Sequence, residues 1–166
     1  MKMRLRPAEK QDYSAICALI TSAEELFLIF PRGKYPFSMD QLQRLAQERM
    51  ALTVMEDNKR IVGFANLYDH NPDEWIFIGN VVVEKQRRGE GLGKRIIEHM
   101  LDLAFTRYRV KETRISVFSN NLPALLMYSR FGFKPYDIEE RVDVTNQRVA
   151  LLHMRLPKSN WSNQKT

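Results

Sequence analysis

A predicted strand, a glycine-rich loop and a long predicted helix follow one another in the middle of this chain, and this unit restricts its fold more than any other feature. Residues 75–83 are almost all apolar, which is typical of a buried strand. Glycines recur at 89, 91 and 93, and apolar side chains then follow at helical spacing as far as Ala104. A second strand is predicted at 114–119. Because a helix joins them, the two strands must lie parallel in one sheet.

The rest of the chain adds strands to this sheet and helices to both of its faces. Ser38 and Gln41 predict a capping box, and hence a helix that ends near Arg49. Residues 24–37 are interpreted as a loop with apolar content. Further helices are predicted after Pro7 and from Pro123 to Gly132, and further strands at 3–6, 51–56, 60–68, 134–142 and 147–156. The sequence therefore predicts an α/β (α+β) fold with a mixed central sheet of about six to seven strands.

Length and cysteine content bound the domain organisation. A chain of 166 residues is long enough for one domain with its own core, expected at 1–156, followed by a polar and loosely held tail at 157–166. The single cysteine, Cys17, cannot form an internal disulfide and is interpreted as a small buried side chain. No apolar run approaches the roughly 20 residues of a membrane span, and no signal peptide is indicated. The expected location is the cytoplasm, without a membrane partner.

The positive charge of the chain favours an anionic partner. Lys and Arg number 26 against 20 Asp and Glu, a net charge of +6, and the densest basic cluster lies around the glycines at 85–95. RNA-binding aromatic signatures and zinc-finger spacings are absent, so a small-molecule phosphate is favoured over nucleic acid. His70, His99 and His153 lack the spacing of metal ligands, and no metal site is predicted. By strand alternation His153 is expected to face outward, and His99 is expected at the surface.

The glycine-rich loop itself predicts an anion site. Glycines let the backbone approach a ligand and direct N–H groups towards it, while the following helix N-terminus, Arg88 and Lys94 add positive potential. Two common phosphate loops are excluded by residue identity. A Rossmann fingerprint that starts at Gly89 needs glycine at 94, where lysine stands, and a Walker loop needs Ser or Thr at 95, where arginine stands.

Two motifs in sequence order resemble a known family. Gln86-x-x-Gly89-x-Gly91 after an apolar strand resembles the acetyl-CoA signature of the GNAT superfamily of N-acetyltransferases. Further along, Asn121-x-x-Ala124-x-x-x-Tyr128-x-x-x-Gly132-Phe133 is similar to the motif on the family's next strand and helix. The resemblance extends over nearly the whole chain, because the order of predicted elements also fits. It implies a GNAT-like fold and direct transfer of an acetyl group from acetyl-CoA, a co-substrate, to a primary amine of a small molecule or protein.

The resemblance also implies roles for individual residues. The backbone of Val81 and Val83 would bind the pantetheine arm like an added strand, and the Val81 N–H would hold the oxygen of the tetrahedral intermediate. The Asn121 side chain would hydrogen-bond the same arm. Tyr128 would lie beside the sulfur, contact the cofactor and protonate the leaving thiolate. The loop would bind the pyrophosphate, with cofactor contacts at Gln86, Arg88, Gly89, Gly91, Leu92, Gly93 and Lys94.

The general base that deprotonates the amine has four candidates. Some family members carry a glutamate near the start of the strand before the glycine loop, and Glu74 is the matching first choice here. Its neighbour Asp73, Glu25 in the apolar segment, and a chain of water molecules to bulk solvent are the alternatives. Other members use a glutamate on the strand before the Asn motif. The matching residue here is about Ser116, which cannot act as a base.

Two other functions compete with amine acetylation. A CoA-binding regulatory module without turnover would keep the glycine loop but would not need Tyr128, and a basic nucleic-acid-binding domain would need neither. The acceptor amine is open among polyamines, amino acids, antibiotic amines, and protein N-termini or lysines. Residues 24–37 and the last two strands are expected to shape its pocket. The resemblance also allows a homodimer, for which the sequence predicts no interface.

Overall fold

Seven β-strands and six α-helices make up residues 3–164, the part of the chain that the computed structural model describes. The strands are β1 (Met3–Pro7), β2 (Met50–Asp57), β3 (Arg60–Asn71), β4 (Trp75–Val83), β5 (Glu112–Phe118), β6 (Lys134–Val142) and β7 (Arg148–Pro157). The helices are α1 (Tyr13–Ala18), α2 (Ala23–Ile29), α3 (Met39–Glu48), α4 (Leu92–Asp102), α5 (Leu122–Phe131) and α6 (Lys158–Gln164). Within these residues, no helix has the length and apolar character needed to cross a membrane.

All seven strands belong to one sheet, in the order β1-β2-β3-β4-β5-β7-β6. Neighbouring strands are antiparallel except β4 and β5, which pair in parallel from Trp75–Glu112 to Ile78–Ile115. α4 connects this parallel pair, as the strand–loop–helix–strand pattern predicts. The prediction of a mixed sheet of six to seven strands is therefore confirmed.

Helices cover both faces of the sheet, because successive residues of a strand point to opposite sides. On one face Ala65 lies in a core with the apolar side of α4, at Leu92, Ile96, Ile97, Met100 and Leu101. On the other face Phe64 packs with side chains from α1, α2 and α3, with Cys17 partly buried beside them. Full burial of a large apolar side chain contributes roughly 1.5–3 kcal/mol, which fixes both helical layers on the sheet. The prediction of helices on both faces is confirmed.

Ser38 is the N-cap of α3 as predicted, but the Gln41 side chain does not complete the expected capping box. The Ser38 Oγ accepts a hydrogen bond from the Gln41 N–H at 3.3 Å, which is the N-cap contact. The Gln41 side-chain amide donates to the carbonyls of Lys34 and Pro36, at 2.8 and 3.2 Å. Gln41 therefore ties the preceding loop to α3.

The expected loop from residue 24 starts instead as a helix. The Ser22 Oγ accepts from the Glu25 N–H at 3.1 Å, and two glutamates in the first turn of α2 interact favourably with the helix N-terminus. Leu26 is 2% exposed in the core. The prediction of a loop was wrong over 24–29, because a helix of seven residues is marginal alone and depends on such tertiary burial.

The chain after Pro157 is not loosely held over the described residues. Trp161 of α6 is 7% exposed, and its ring centroid lies 6.0 Å from that of Phe131. The Gln164 side chain donates to the Phe131 carbonyl at 2.6 Å. One large aromatic side chain, Trp161, thus anchors a segment whose sequence is mostly polar. The expectation of a loose tail was therefore wrong up to residue 164. Residues 165–166 lie outside the described part, and the domain boundary at 156 stays a prediction.

Candidate active site at the divergence of two strands

β4 and β5 stop pairing halfway along β4, and the gap between them opens into a cavity of about 1390 Å³. Ile78 and Ile115 are their last paired residues. Beyond this point both strands line the cavity, at 79–83 and 116–118, and residues of α2 and α5 complete its walls. Ligands of open α/β sheets bind in such crevices at the carboxyl ends of strands. The site therefore arises from a break in strand pairing.

A β-bulge in β4 shapes the wall of this cavity. β3 and β4 pair at Phe64–Val82 and at Asn66–Gly79, so β4 has one residue more than β3 between these pairs. Asn80 lies in the bulge with a φ of 52°. Its Oδ1 accepts from the Asn66 amide at 2.7 Å, and its own amide donates to the last carbonyl of α2 at 2.9 Å. This buried polar pair ties α2 to the irregular part of β4.

The glycine-rich loop lies at one end of the cavity and leads into α4. Gly89 and Gly91 have φ values of 89° and 80°, and a Cβ added to either would meet nothing within 4 Å. Side chains disfavour such φ values, so glycine is required by the backbone, and the space in front of it is open. The Arg95 N–H donates to the Gly91 carbonyl at 3.2 Å, so the amides at 92–94 precede the first intrahelical hydrogen bond. Free amides at a helix N-terminus fit an anion such as a pyrophosphate.

Most of the predicted cofactor contacts reach this cavity. Its lining includes Val81, Val83, Arg88, Gly89, Gly91, Leu92, Gly93, Lys94, Asn121 and Tyr128. Gln86 is exposed in a short helical turn and is not among the lining residues. Arg88 is already engaged, since its Nη1 lies 2.9 Å from a Glu25 carboxylate oxygen and its Nε donates to the Val83 carbonyl at 3.2 Å. The loop therefore offers backbone amides more freely than guanidinium groups.

α5 presents Tyr128 and Asn121 to the cavity. Tyr128 is 5% exposed and packs edge-on against Phe133, with ring centroids 6.1 Å apart. Burial, and to a smaller extent the electrostatic interaction with Tyr68, raises the pKa of Tyr128 well above its ordinary value, so the phenol keeps its proton at neutral pH. Asn121 occupies the N-cap position of α5, but its side chain makes no capping hydrogen bond. Its amide is thus available to a ligand.

The predicted bases lie in different places. Glu74 and Asp73 are exposed in the turn before β4 and do not line the cavity, and Glu74 pairs with Lys111 at 2.7 Å. Glu25 does line the cavity. Burial would raise the pKa of Glu25, but hydrogen bonds from Thr21 and the Arg88 guanidinium outweigh it and hold this pKa below its ordinary value. Glu25 is therefore a carboxylate held in an ion pair.

His153 belongs to the site, although strand alternation predicts that it faces outward. β7 lies beside β5, and His153 pairs directly with Ser116, so both side chains share the cavity face of the sheet. Ser116 Oγ and His153 Nδ1 are 2.7 Å apart, and His153 Nε2 lies 2.8 Å from Glu139 Oε2. The outward prediction was wrong because this face borders the cavity rather than open solvent. Only the strand order shows this, since the two residues are far apart in sequence.

A second unpredicted residue is Arg49, which follows α3 and lines the cavity. Its guanidinium carbon lies 3.8 Å from the centroid of the Tyr68 ring. The sequence offers no signal for this, because Arg49 is an ordinary helix-terminal arginine until the fold places it against β4. Among the described residues, no group of three or more His, Cys, Asp or Glu side chains is arranged so that it could hold a metal ion.

The cavity joins an open strand edge to a helix N-terminus with free amides. This arrangement suits a long ligand with phosphates at one end, such as a CoA thioester, and it is typical of the class of proteins that use CoA thioesters. Residues 18–133 match the acetyltransferase (GNAT) family, and the chain belongs to this family. The resemblance that the two sequence motifs indicate is therefore confirmed.

Two curated relatives from Bacillus subtilis strains match part of the chain. The spermine/spermidine N(1)-acetyltransferase of strain 168 is 30% identical over 80 residues, which covers 45% of this chain and 53% of the relative. The chain thus spans about half the length of the curated relatives it matches. A match over this length does not establish that this chain acts on the same substrates as these relatives.

Solved structures show the same fold over nearly the whole chain. Spermidine N-acetyltransferase from Vibrio cholerae, in complex with CoA and spermine, has a TM-score of 0.80 at 20% identity and covers 97% of this chain and 98% of its own. The ribosomal-protein-S18-alanine N-acetyltransferase from Escherichia coli has a TM-score of 0.77 at 20% identity and covers 94% of each chain. At these identities the likeness establishes the fold alone.

Proposed function

We propose that this protein is an N-acetyltransferase that moves an acetyl group from acetyl-CoA directly to a primary amine. One observation carries the proposal: the divergence of β4 and β5 joins an anion-binding glycine loop and the buried Tyr128 in a single cavity. A cofactor with a pyrophosphate at one end and a thioester at the other fits this arrangement. Membership in the GNAT family supports the same reaction.

The cofactor is proposed to lie along the open edge of β4. In the described part of the chain no strand pairs with this edge beyond Ile78, so backbone groups at Val81 and Val83 can pair with the amides of a pantetheine arm, as in strand addition. The amides at 88–94 would hold the pyrophosphate, with Lys94 close by. Asn121 would hydrogen-bond the arm from the opposite wall.

Tyr128 is proposed to protonate the departing thiolate. Acetyl-CoA supplies an activated thioester, and attack by the amine expels a thiolate that must gain a proton. The buried phenol keeps its proton at neutral pH because burial disfavours the phenolate. A positioned acid of this kind contributes about 10²–10⁴-fold to the rate.

The proposed base is His153 acting through Ser116, in preference to Glu74. The neutral imidazole accepts the Ser116 O–H at Nδ1 and donates its Nε2–H to Glu139, consistent with the distances of 2.7 and 2.8 Å. The amine proton passes to Ser116 Oγ while the serine proton passes to His153 Nδ1. Glu139 then stabilises the imidazolium. Glu74, Asp73, Glu25 and water are the alternatives.

A panel of amines assayed for acetyl-CoA-dependent release of free thiol tests the proposal. Release with at least one amine, and acetylated product identified by mass, would support it. Stabilisation of the protein by acetyl-CoA without turnover of any amine would favour a CoA-binding module. A protein that nucleic acid stabilises and acetyl-CoA does not would contradict both. The cytoplasmic location and a homodimer stay predictions.

A further inference from the structure

Arg49 is a cation built into the cavity wall. It is half-buried, its guanidinium stacks on Tyr68, and its Nη1 donates to Asn66 Oδ1 at 3.3 Å. Gly79 makes room for it, since a Cβ at this position would collide with the Arg49 guanidinium and the Tyr68 ring. Two contacts, with Tyr68 and Asn66, therefore hold the guanidinium in the space that Gly79 leaves open.

Within residues 3–164 this guanidinium has the longer-range attraction of Glu48 but no acidic side chain in direct contact. Among the residues that the structure describes, no carboxylate lies within ion-pair distance of Arg49. Glu48 is next to it in sequence but pairs with Arg32 at 3.6 Å, and the exposed Asp69 also lines the cavity without reaching it.

Two other arginines of the cavity wall have acidic partners, whereas Arg130, which also lines the cavity, is exposed to solvent. Arg88 pairs with Glu25 at 2.9 Å, and Arg141 pairs with Glu139 at 3.2 Å. A partly desolvated arginine without a counterion favours the binding of an anionic group, because such a group restores the lost interactions of the charge.

The position of Arg49 indicates that an anionic group bound there would belong to the acceptor substrate and not to the phosphates of the cofactor. Arg49 lies over Gly79, where β4 leaves β5, and four further residues of β4, roughly 13 Å of strand, lie between Gly79 and the end of the strand at Val83, before the segment that contains the glycine loop. Tyr68, on which it stacks, lines the same cavity as Ser116 and His153. Arg49 thus shares the cavity with the proposed proton relay.

We propose that the acceptor is a small amine that carries a carboxylate, which Arg49 binds while the amine faces Ser116. This inference rests on the proposed acetyltransferase function and narrows its substrate class. A guanidinium offers two parallel N–H donors to a carboxylate and repels a second ammonium group. Amino acids with a side-chain amine therefore fit this wall better than polyamines of the same length.

Matched pairs of amines test the proposal on the intact protein. Lysine and cadaverine differ only in the carboxylate, and so do ornithine and putrescine. We expect kcat/KM to be at least about tenfold higher for the member with the carboxylate, since a hydrogen-bonded ion pair is typically worth this much or more. Equal values, or a preference for cadaverine and putrescine, would overturn the inference while leaving acetyl transfer intact.

Variants assign the effect to Arg49. Arg49→Gln keeps a donor for Asn66 but removes the charge, and we expect it to raise KM for lysine at least about tenfold and to leave cadaverine nearly unchanged. Arg44→Gln is the matched control, because Arg44 is exposed on α3 and does not line the cavity. An equal loss for both amines would show a structural role and contradict the proposal.

A binding measurement separates failure of this inference from failure of the proposed function. Thermal shifts with lysine and with cadaverine, in the presence of CoA, need no turnover. We expect lysine to stabilise the wild type more than cadaverine does, and Arg49→Gln to abolish the difference. If lysine and cadaverine gave equal thermal shifts, or no shift at all, the proposed carboxylate site at Arg49 would be wrong. This conclusion would hold even if the protein acetylates another amine.

Discussion

Ser116 and His153 face each other across β5 and β7, with Oγ and Nδ1 2.7 Å apart and Glu139 on the far side of the imidazole. The imidazole lies next to the position where the family resemblance implies a glutamate in some members. In the proposed relay, β5 contributes Ser116 and β7 contributes the base His153, because Ser116 alone cannot act as a base.

The relay predicts a pH-dependent defect. His153→Gln should lower kcat at neutral pH by a factor on the order of 10² or more, because the amine then loses its assisted proton transfer. The loss should shrink as the pH rises towards about 10, where a free amine deprotonates in solution. Rate–pH profiles of the variant and the wild type measure this. His99→Gln, a change on α4 outside the cavity lining, is the control, and an unchanged kcat for His153→Gln would return the role to Glu25, Glu74 or water.

Tyr128→Phe should affect chemistry more than binding. The variant keeps the ring and its packing against Phe133 but loses the proton that the buried phenol carries. We expect the single-turnover rate to fall by about 10²–10⁴-fold, with acetyl-CoA affinity nearly unchanged. A wild-type rate would restrict Tyr128 to packing, and a large loss of affinity would mean that its hydroxyl mainly binds the cofactor.

Gly91→Val should abolish tight binding of acetyl-CoA. Valine strains a backbone at φ 80°, and its side chain fills the open space in front of the loop. Isothermal titration should show a loss of more than about tenfold. Gly91→Ala carries the same backbone strain, roughly 1–2 kcal/mol, with a smaller side chain, so it should lose less affinity. Thermal unfolding of both variants checks that the fold persists, and wild-type affinity of the valine variant would refute the loop assignment.

Asp12 should stabilise the fold at neutral pH and not in acid. Arg6 binds it with both guanidinium ends at 2.7 and 2.8 Å, and this hydrogen bonding, despite burial, lowers the pKa of Asp12. A lowered folded pKa means that the contribution is complete above the unfolded value of about 4 and disappears as the pH falls through the folded value.

Asp12→Asn should therefore cost about 1.5–3 kcal/mol of unfolding free energy at pH 7 and progressively less as the pH falls below about 4. Urea unfolding at several pH values measures the difference. Glu140→Gln, which breaks an exposed pair with Arg148, is the control and should change stability by less than about 1 kcal/mol. A deficit that stays constant into acid would contradict the assignment.

Local patterns were sufficient for much of the fold. β4 and β6 have the predicted bounds, and α4 buries the predicted stripe. These elements follow from periodicity and from side chains that cap or interrupt the backbone. α2 and α6 were missed because each is short and depends on burial of a residue, Leu26 or Trp161, in a core that other elements build.

The sequence by itself determined the parallel β4–α4–β5 unit, the glycine-rich loop with Gly89 and Gly91, and the family, because these depend on residues close together in the chain. Only the tertiary structure decided which side chains line the cavity where we propose that the acceptor binds. The divergence of β4 and β5 beyond Ile78 brings Ser116, His153 and Arg49 to one cavity and leaves Glu74 outside it. Such contacts depend on the order of the strands in the sheet and on the residue at which two strands stop pairing. Neither can be predicted from local sequence patterns, because the residues involved are far apart in the chain.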